Sequence, residues 1–151
     1  MKDIRLALRS YLLADPTISS LVGGYRIHHV RLPQDQVEPS VVYNKISEFG
    51  DYNMDGDSGL GHLRMQIDSW AQNSDAATEL ANAVYDGLSG ARPMVDSVFL
   101  MGAFVDSGRD DYDSANMLYR SSRDFMLWYR LADDVEESFD NSQDAHPLGV
   151  P

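Results

Sequence analysis

A chain of 151 residues is long enough to bury roughly 70% of its unfolded surface around one core. The absence of cysteine excludes disulfide staples and thiol chemistry, as suits a reducing cytosol. Twelve basic residues against twenty-four acidic ones give a net charge of −12, which repels phosphate backbones and argues against direct nucleic-acid recognition.

The charge is unevenly spread. All the Lys and Arg residues precede Ala132, and Asp133 to Pro151 carries six acids and no Lys or Arg. The chain therefore divides into a folded domain, 1–131, and an acidic tail, 132–151, read as flexible. The start, Met1 to Arg5, is charged and amphipathic rather than signal-like, and no apolar run matches a membrane span, so no membrane partner is expected.

In chain order, Ile4, Leu8, Tyr11 and Leu12 form the apolar stripe of a first helix. Asp15-Pro16 closes it and opens a short second turn, which Gly23-Gly24 ends. Tyr25 to Leu32 reads as a short strand stopped by Pro33. Val41, Tyr43, Lys45 and Ser47 then alternate with Val42, Asn44 and Ile46, a period-two strand. Glu48 to Gly61 reads as a long loop, and Leu63, Met65 and Ile67 alternate with Arg64, Gln66, Asp68 and Trp70 in the next strand. A helix starts around Gln72 to Asp75, with Ala77, Leu80, Ala81, Val84 and Leu88 on one face and Gly90 as its stop. Met94 to Val105 is a strand apolar on both faces, with Val98, Leu100 and Phe104 assigned to one of them. Ser107 to Asn116 reads as an acidic turn. Leu118 to Leu131 is the last strand, with Tyr119, Phe125, Leu127 and Tyr129 opposite Arg120, Asp124, Met126 and Trp128.

This order predicts an α+β fold: an antiparallel or mixed sheet of about five strands with two main helices packed on one face. Two helices do not cover both faces. The uncovered face would carry Trp70, Met126 and Trp128, and an exposed apolar patch of that size points to self-association. The competing reading places these aromatics at the rim of a monomer core.

No catalytic constellation emerges. Asp51 to Asp57 matches the first positions of an EF-hand calcium loop, but His62 stands where its glutamate belongs and strands replace the flanking helices. His28 and His29 are strand neighbours pointing to opposite faces, which does not suit shared metal ligation. Asp106, Asp110, Asp111 and Asp113 cluster around Arg109 in a hydrophilic segment where solvation keeps carboxylates ordinary. No enzyme activity, cofactor or metal is predicted, and a metal- or carboxylate-dependent hydrolase is the remote alternative.

An ordered series of short segments adds a resemblance. It comprises Arg31-Leu32-Pro33-Gln34, Pro39 to Tyr43, Asp51-Tyr52, Asp55-Gly56, Gly59-Leu60 and Arg64 to Ala71. Asp111-Tyr112, Leu118 to Phe125 and Trp128-Tyr129 complete it. In this series the chain resembles the small tail-completion proteins of long-tailed bacteriophages, the tail terminators and head-to-tail joining proteins. The resemblance implies a structural virion protein, assembled in the host cytoplasm, that caps the tail tube as a hexameric ring with a DNA-passing lumen. Its partners would be further copies, the tail tube protein and the head–tail connector or stopper. A neck adaptor on the portal side is the alternative. Phe49, Asp51, Tyr52, Met54, Asp55, Asp57 and Leu60 in the long loop, with Trp70, Met126 and Trp128, are the expected contacts to neighbour, tube or lumen.

Overall fold

The computed structural model describes residues 3–53 and 56–131, the side chains of 50–59 excepted. The elements are α1 (Ile4–Ala14), α2 (Pro16–Leu21), β1 (Ile27–His29), β2 (Ser40–Asn53), β3 (Gly56–Ala71), α3 (Ser74–Leu88), β4 (Met94–Val95), β5 (Val98–Asp113) and β6 (Leu118–Leu131). The predicted α+β class holds, with six strands rather than five. They form one mixed sheet in the order β1-β2-β3-β6-β5-β4, and only β1 and β2 run parallel.

Local chemistry sets the helix starts. Asp3, Asp15 and Asn73 each accept hydrogen bonds from backbone amides one turn ahead, at the starts of α1, α2 and α3. The stripes then face inward. Ile4, Ala7, Leu8 and Leu12 of α1 and Leu80, Val84 and Leu88 of α3 pack on Tyr43, Leu63, Met65, Ile67, Phe125 and Leu127 of the sheet. The Tyr11 hydroxyl donates to the Gly87 carbonyl at 2.7 Å and ties α1 to α3. Both long helices therefore cover the same face of the sheet, as the patterning of β3 and β6 predicts.

Three expectations need correction. The stretch Glu48 to Gly61 is not a loop: β2 and β3 stay paired through Phe49↔His62 and Gly50↔Gly61 out to Asn53↔Gly56. Its glycines and acids are poor strand formers, but the antiparallel ladder overrides that preference. The supposed turn at Ser107 to Asn116 is the far half of β5, which pairs with β6 as far as Asp113↔Leu118. The supposed single strand from Met94 contains a tight hairpin, where Asp96 and Ser97 both take positive φ, as a two-residue turn requires.

Bulges bend the two outer long strands. The register of β2 slips at Lys45/Ser47 and Gly50/Tyr52, and that of β5 at Leu100/Gly102 and Val105/Ser107. The first β5 bulge has a direct consequence. Leu100 stays in the core, while Phe104 turns to the opposite face beside Met126, so the expected grouping of Phe104 with Leu100 is wrong. Tail residues 132–151 lie outside the described residues.

Candidate functional site

The face of the sheet away from the helices is not roofed by α1, α2 or α3. It divides into two zones, one aromatic and one ionic.

The register builds the aromatic zone. Phe49 of β2 stands opposite His62 of β3, and His62 opposite Trp128 of β6. The three rings stack in a row across three strands, with centroids 5.0 Å and 4.2 Å apart. Phe49 is 51% exposed and Trp128 45%, so the row presents its edge to water. Leu60, Met101 and Trp128 border a small hollow of about 100 Å³ beside it, and Phe104, 57% exposed, adds a further ring on β5. On the opposite, helix side, Gly61 leaves room for Tyr129. A Cβ there would lie 2.7 Å from the Tyr129 ring, which crosses β3 on the helix side so that its hydroxyl donates to Glu48.

The ionic zone lies further along the same face. Arg64 pairs with Asp106 and, at 3.4 Å, with Asp124. Arg120 pairs with Asp111 at 2.5 Å and with Asp68 at 3.7 Å, and its guanidinium lies over the Trp70 ring at 5.3 Å. Asp68 is nearly buried, and Gln66 donates to both its oxygens at 3.1 Å. The Arg120 guanidinium holds the Asp111 carboxyl below its ordinary range, a salt-bridge effect and not a catalytic perturbation. The acids of this face are thus bound to arginines across strands.

Of the predicted contact residues, Phe49, Leu60, Trp70, Met126 and Trp128 lie on this face, though not together. Phe49 and Trp128 meet through His62. Met126 sits one row further along, opposite Arg64 and beside Phe104. Trp70 is eight residues from His62 along β3, roughly 27 Å away, and belongs to the ionic zone. Asp51 and Tyr52 lie in β2 and Asp57 in β3. Met54 and Asp55 lie outside the described residues. Sequence reasoning missed His62 and Phe104. The signal for His62 was its place in the alternation of β3, obscured by reading Glu48 to Gly61 as a loop.

A basic cluster occupies the β1 edge. Arg9 donates to the carbonyls of Ile27 and Tyr25 at 2.9 Å and 3.0 Å, and Arg26 to that of Pro39 at 2.8 Å. Burial first, then the charges of Arg9 and Arg26, lower the pKa of His28. A hollow of about 850 Å³ forms a wide groove between α2 and α3 bordered by Asp75, Glu79 and Asp86. No group of three or more potential metal ligands occurs among the described residues.

The carboxylate network on the helix side gives a pH prediction. The Lys45 ammonium, 2.6 Å away, and then the Tyr129 hydroxyl hold the Glu48 carboxyl below its ordinary pKa, and Arg5 does the same for Asp3. A carboxylate whose folded pKa is depressed adds stability above its unfolded pKa and loses it as pH falls through the folded one. The thermal midpoint should therefore be flat between about pH 5 and 7 and fall below about pH 4. Glu48→Gln should flatten part of that fall and cost under about 1 kcal/mol at pH 7, since solvent screens the exposed pair. Identical acid limbs for both proteins, in melts followed by circular dichroism, would refute the assignment.

Comparison with known proteins places this geometry. A sequence model of the family described as tail completion protein gp17 matches residues 6–130. No curated protein matches the chain. Among solved structures, a chain from the virion of a native gene transfer agent particle superposes with a TM-score of 0.64 at 18% identity. The match covers 84% of this chain and 94% of that one, and shows a shared fold.

Proposed function

The chain belongs to the tail completion protein gp17 family, and on that premise we propose that it closes a phage-type tail as a ring of identical subunits. In this reading it is a structural virion protein of the tail or neck, assembled in the bacterial cytoplasm. The ring caps the tail tube, meets the head connector on its other side and passes DNA through its lumen.

The observation that carries the reading is the unroofed aromatic row Phe49–His62–Trp128. A soluble protein seldom leaves two large rings half in water beside a further exposed Phe unless a partner covers them. Two further features agree. The β2–β3 and β5–β6 hairpins turn at opposite ends of the sheet, which suits a subunit meeting different partners above and below. The −12 charge keeps a passing duplex from adhering to the wall. A structural rather than catalytic role fits the acids of the open face, which Arg64 and Arg120 occupy.

Native mass measurement and negative-stain imaging of the full chain, alone and with the tail tube protein, test the proposal. Closed rings are expected. A strict monomer in both conditions overturns it. Pull-downs against tube and connector proteins decide which side the ring seats, and capture by the connector alone would make it an adaptor on the portal side.

A further inference from the structure

Every antiparallel sheet that is not closed leaves two edges, and here both are long. Beyond Tyr43, no strand among the described residues lies outside β2, because β1 covers only Val41 to Tyr43. Outside β5, β4 pairs with Val98 and Phe99, and Pro93 and Gly90 bond the backbone of Leu100 and Ala103, so among the described residues this edge is open beyond Ala103. Unpaired edges of this length attract other strands, and proteins either blunt them or use them.

The two edges are complementary in three respects. The first is direction: β2 is antiparallel to β3, β3 to β6 and β6 to β5, so β5 is antiparallel to β2. A neighbour rotated about an axis along the strands would bring its β5 to this β2 as a further antiparallel pair. The second is the aromatic step. Phe49 and Phe104 stand exposed on the same face at opposite edges, one row apart. The third is charge. The far half of β5 carries Asp106, Asp110, Asp111 and Asp113 against the single base Arg109, and of these acids Asp106 and Asp111 are already paired with Arg64 and Arg120. Tyr25 to Arg31 at the other edge holds Arg26, His28, His29 and Arg31 with no acid. Arg9 and Arg26 there bond carbonyls rather than carboxylates.

We propose that β5 of one copy pairs with β2 of the next, Phe104 against Phe49, with the acidic end of β5 running over the basic β1 edge. This deepens the ring reading and rests on it, naming the surfaces by which copies join. In that register Asn44 faces Arg109, and the aromatic row of each subunit continues into its neighbour. Four aspartates on β5 disfavour pairing of β5 with itself, so the contact is head-to-tail and must close into a ring or run on as a filament.

Because the chain has no cysteine, the test is clean. Asn44→Cys and Arg109→Cys are made singly in the full chain and oxidised alone and mixed, with tail tube protein present. Disulfide dimers are expected in the mixture and not in either variant alone, and the double variant should give a ladder ending at the ring size. Dimers from either single variant alone would mean like edges pair, and overturn the proposal. An intrachain bond between Arg109→Cys and Phe139→Cys would assign the β5 edge to the chain's own tail, and also overturn it. A wild-type ring by native mass with no cross-link in the mixture refutes the edge pairing and leaves the ring. A monomeric wild type removes both.

Discussion

Replacing Phe125 by alanine is expected to destabilise the subunit by about 3–5 kcal/mol, a large share of the roughly 5–15 kcal/mol that holds a domain together. Phe125 is 0% exposed at the centre of β6, flanked by Met65 on β3 and Val105 on β5, with the helices above. Truncation leaves a cavity where three strands and the helix layer meet, and the ladders on both sides keep the backbone from collapsing into it. For a chain of this length the thermal midpoint should fall by about 10 °C. Phe104→Ala is the control. That ring is mostly in water, so the same deletion on the neighbouring strand should cost no more than about 0.5 kcal/mol. Equal losses from the two, by calorimetry, would show that the sheet faces are misassigned.

Trp128→Ala should behave in the opposite way. Three residues along the same strand, Trp128 lies on the other face, half exposed and stacked on His62. Its loss removes one aromatic contact and some surface already in water, about 1 kcal/mol of subunit stability. In the proposed ring the same ring system anchors a buried contact, and buried tryptophan anchors typically carry at least about 2 kcal/mol of association, roughly 30-fold in affinity. Sedimentation and native mass should therefore show assembly lost from a folded, monomeric variant. An unfolded Trp128→Ala would place this residue in the core. Unchanged assembly would remove it from the interface.

The contrast between Phe125 and Trp128 is legible in the sequence because period-two alternation is local. Leu118 to Leu131 declares two faces without reference to any other strand, as does Leu63 to Trp70. The helix starting at Asn73 is equally self-contained, since its cap and apolar stripe lie within one segment. The charge balance and the series of segments shared with tail-completion proteins need no coordinates either.

What alternation leaves open is which strand lies beside which, and in what register. Glu48 to Gly61 has the glycines and acids of a loop and becomes strand only because each half is the other's partner. Phe104 changes face because a bulge at Leu100/Gly102 inserts a residue, and a one-residue slip reverses the side chains that follow until the second bulge at Val105/Ser107. Phe49, His62 and Trp128 lie far apart in the chain and become a stacked row through two separate pairings. Composition, the two faces of β3 and β6 and the helix caps follow from residues a few positions apart, so the sequence alone determined them. The aromatic row, the ion-paired zone and the two open edges depend on non-local hydrogen bonding between strands, which only the tertiary structure decided.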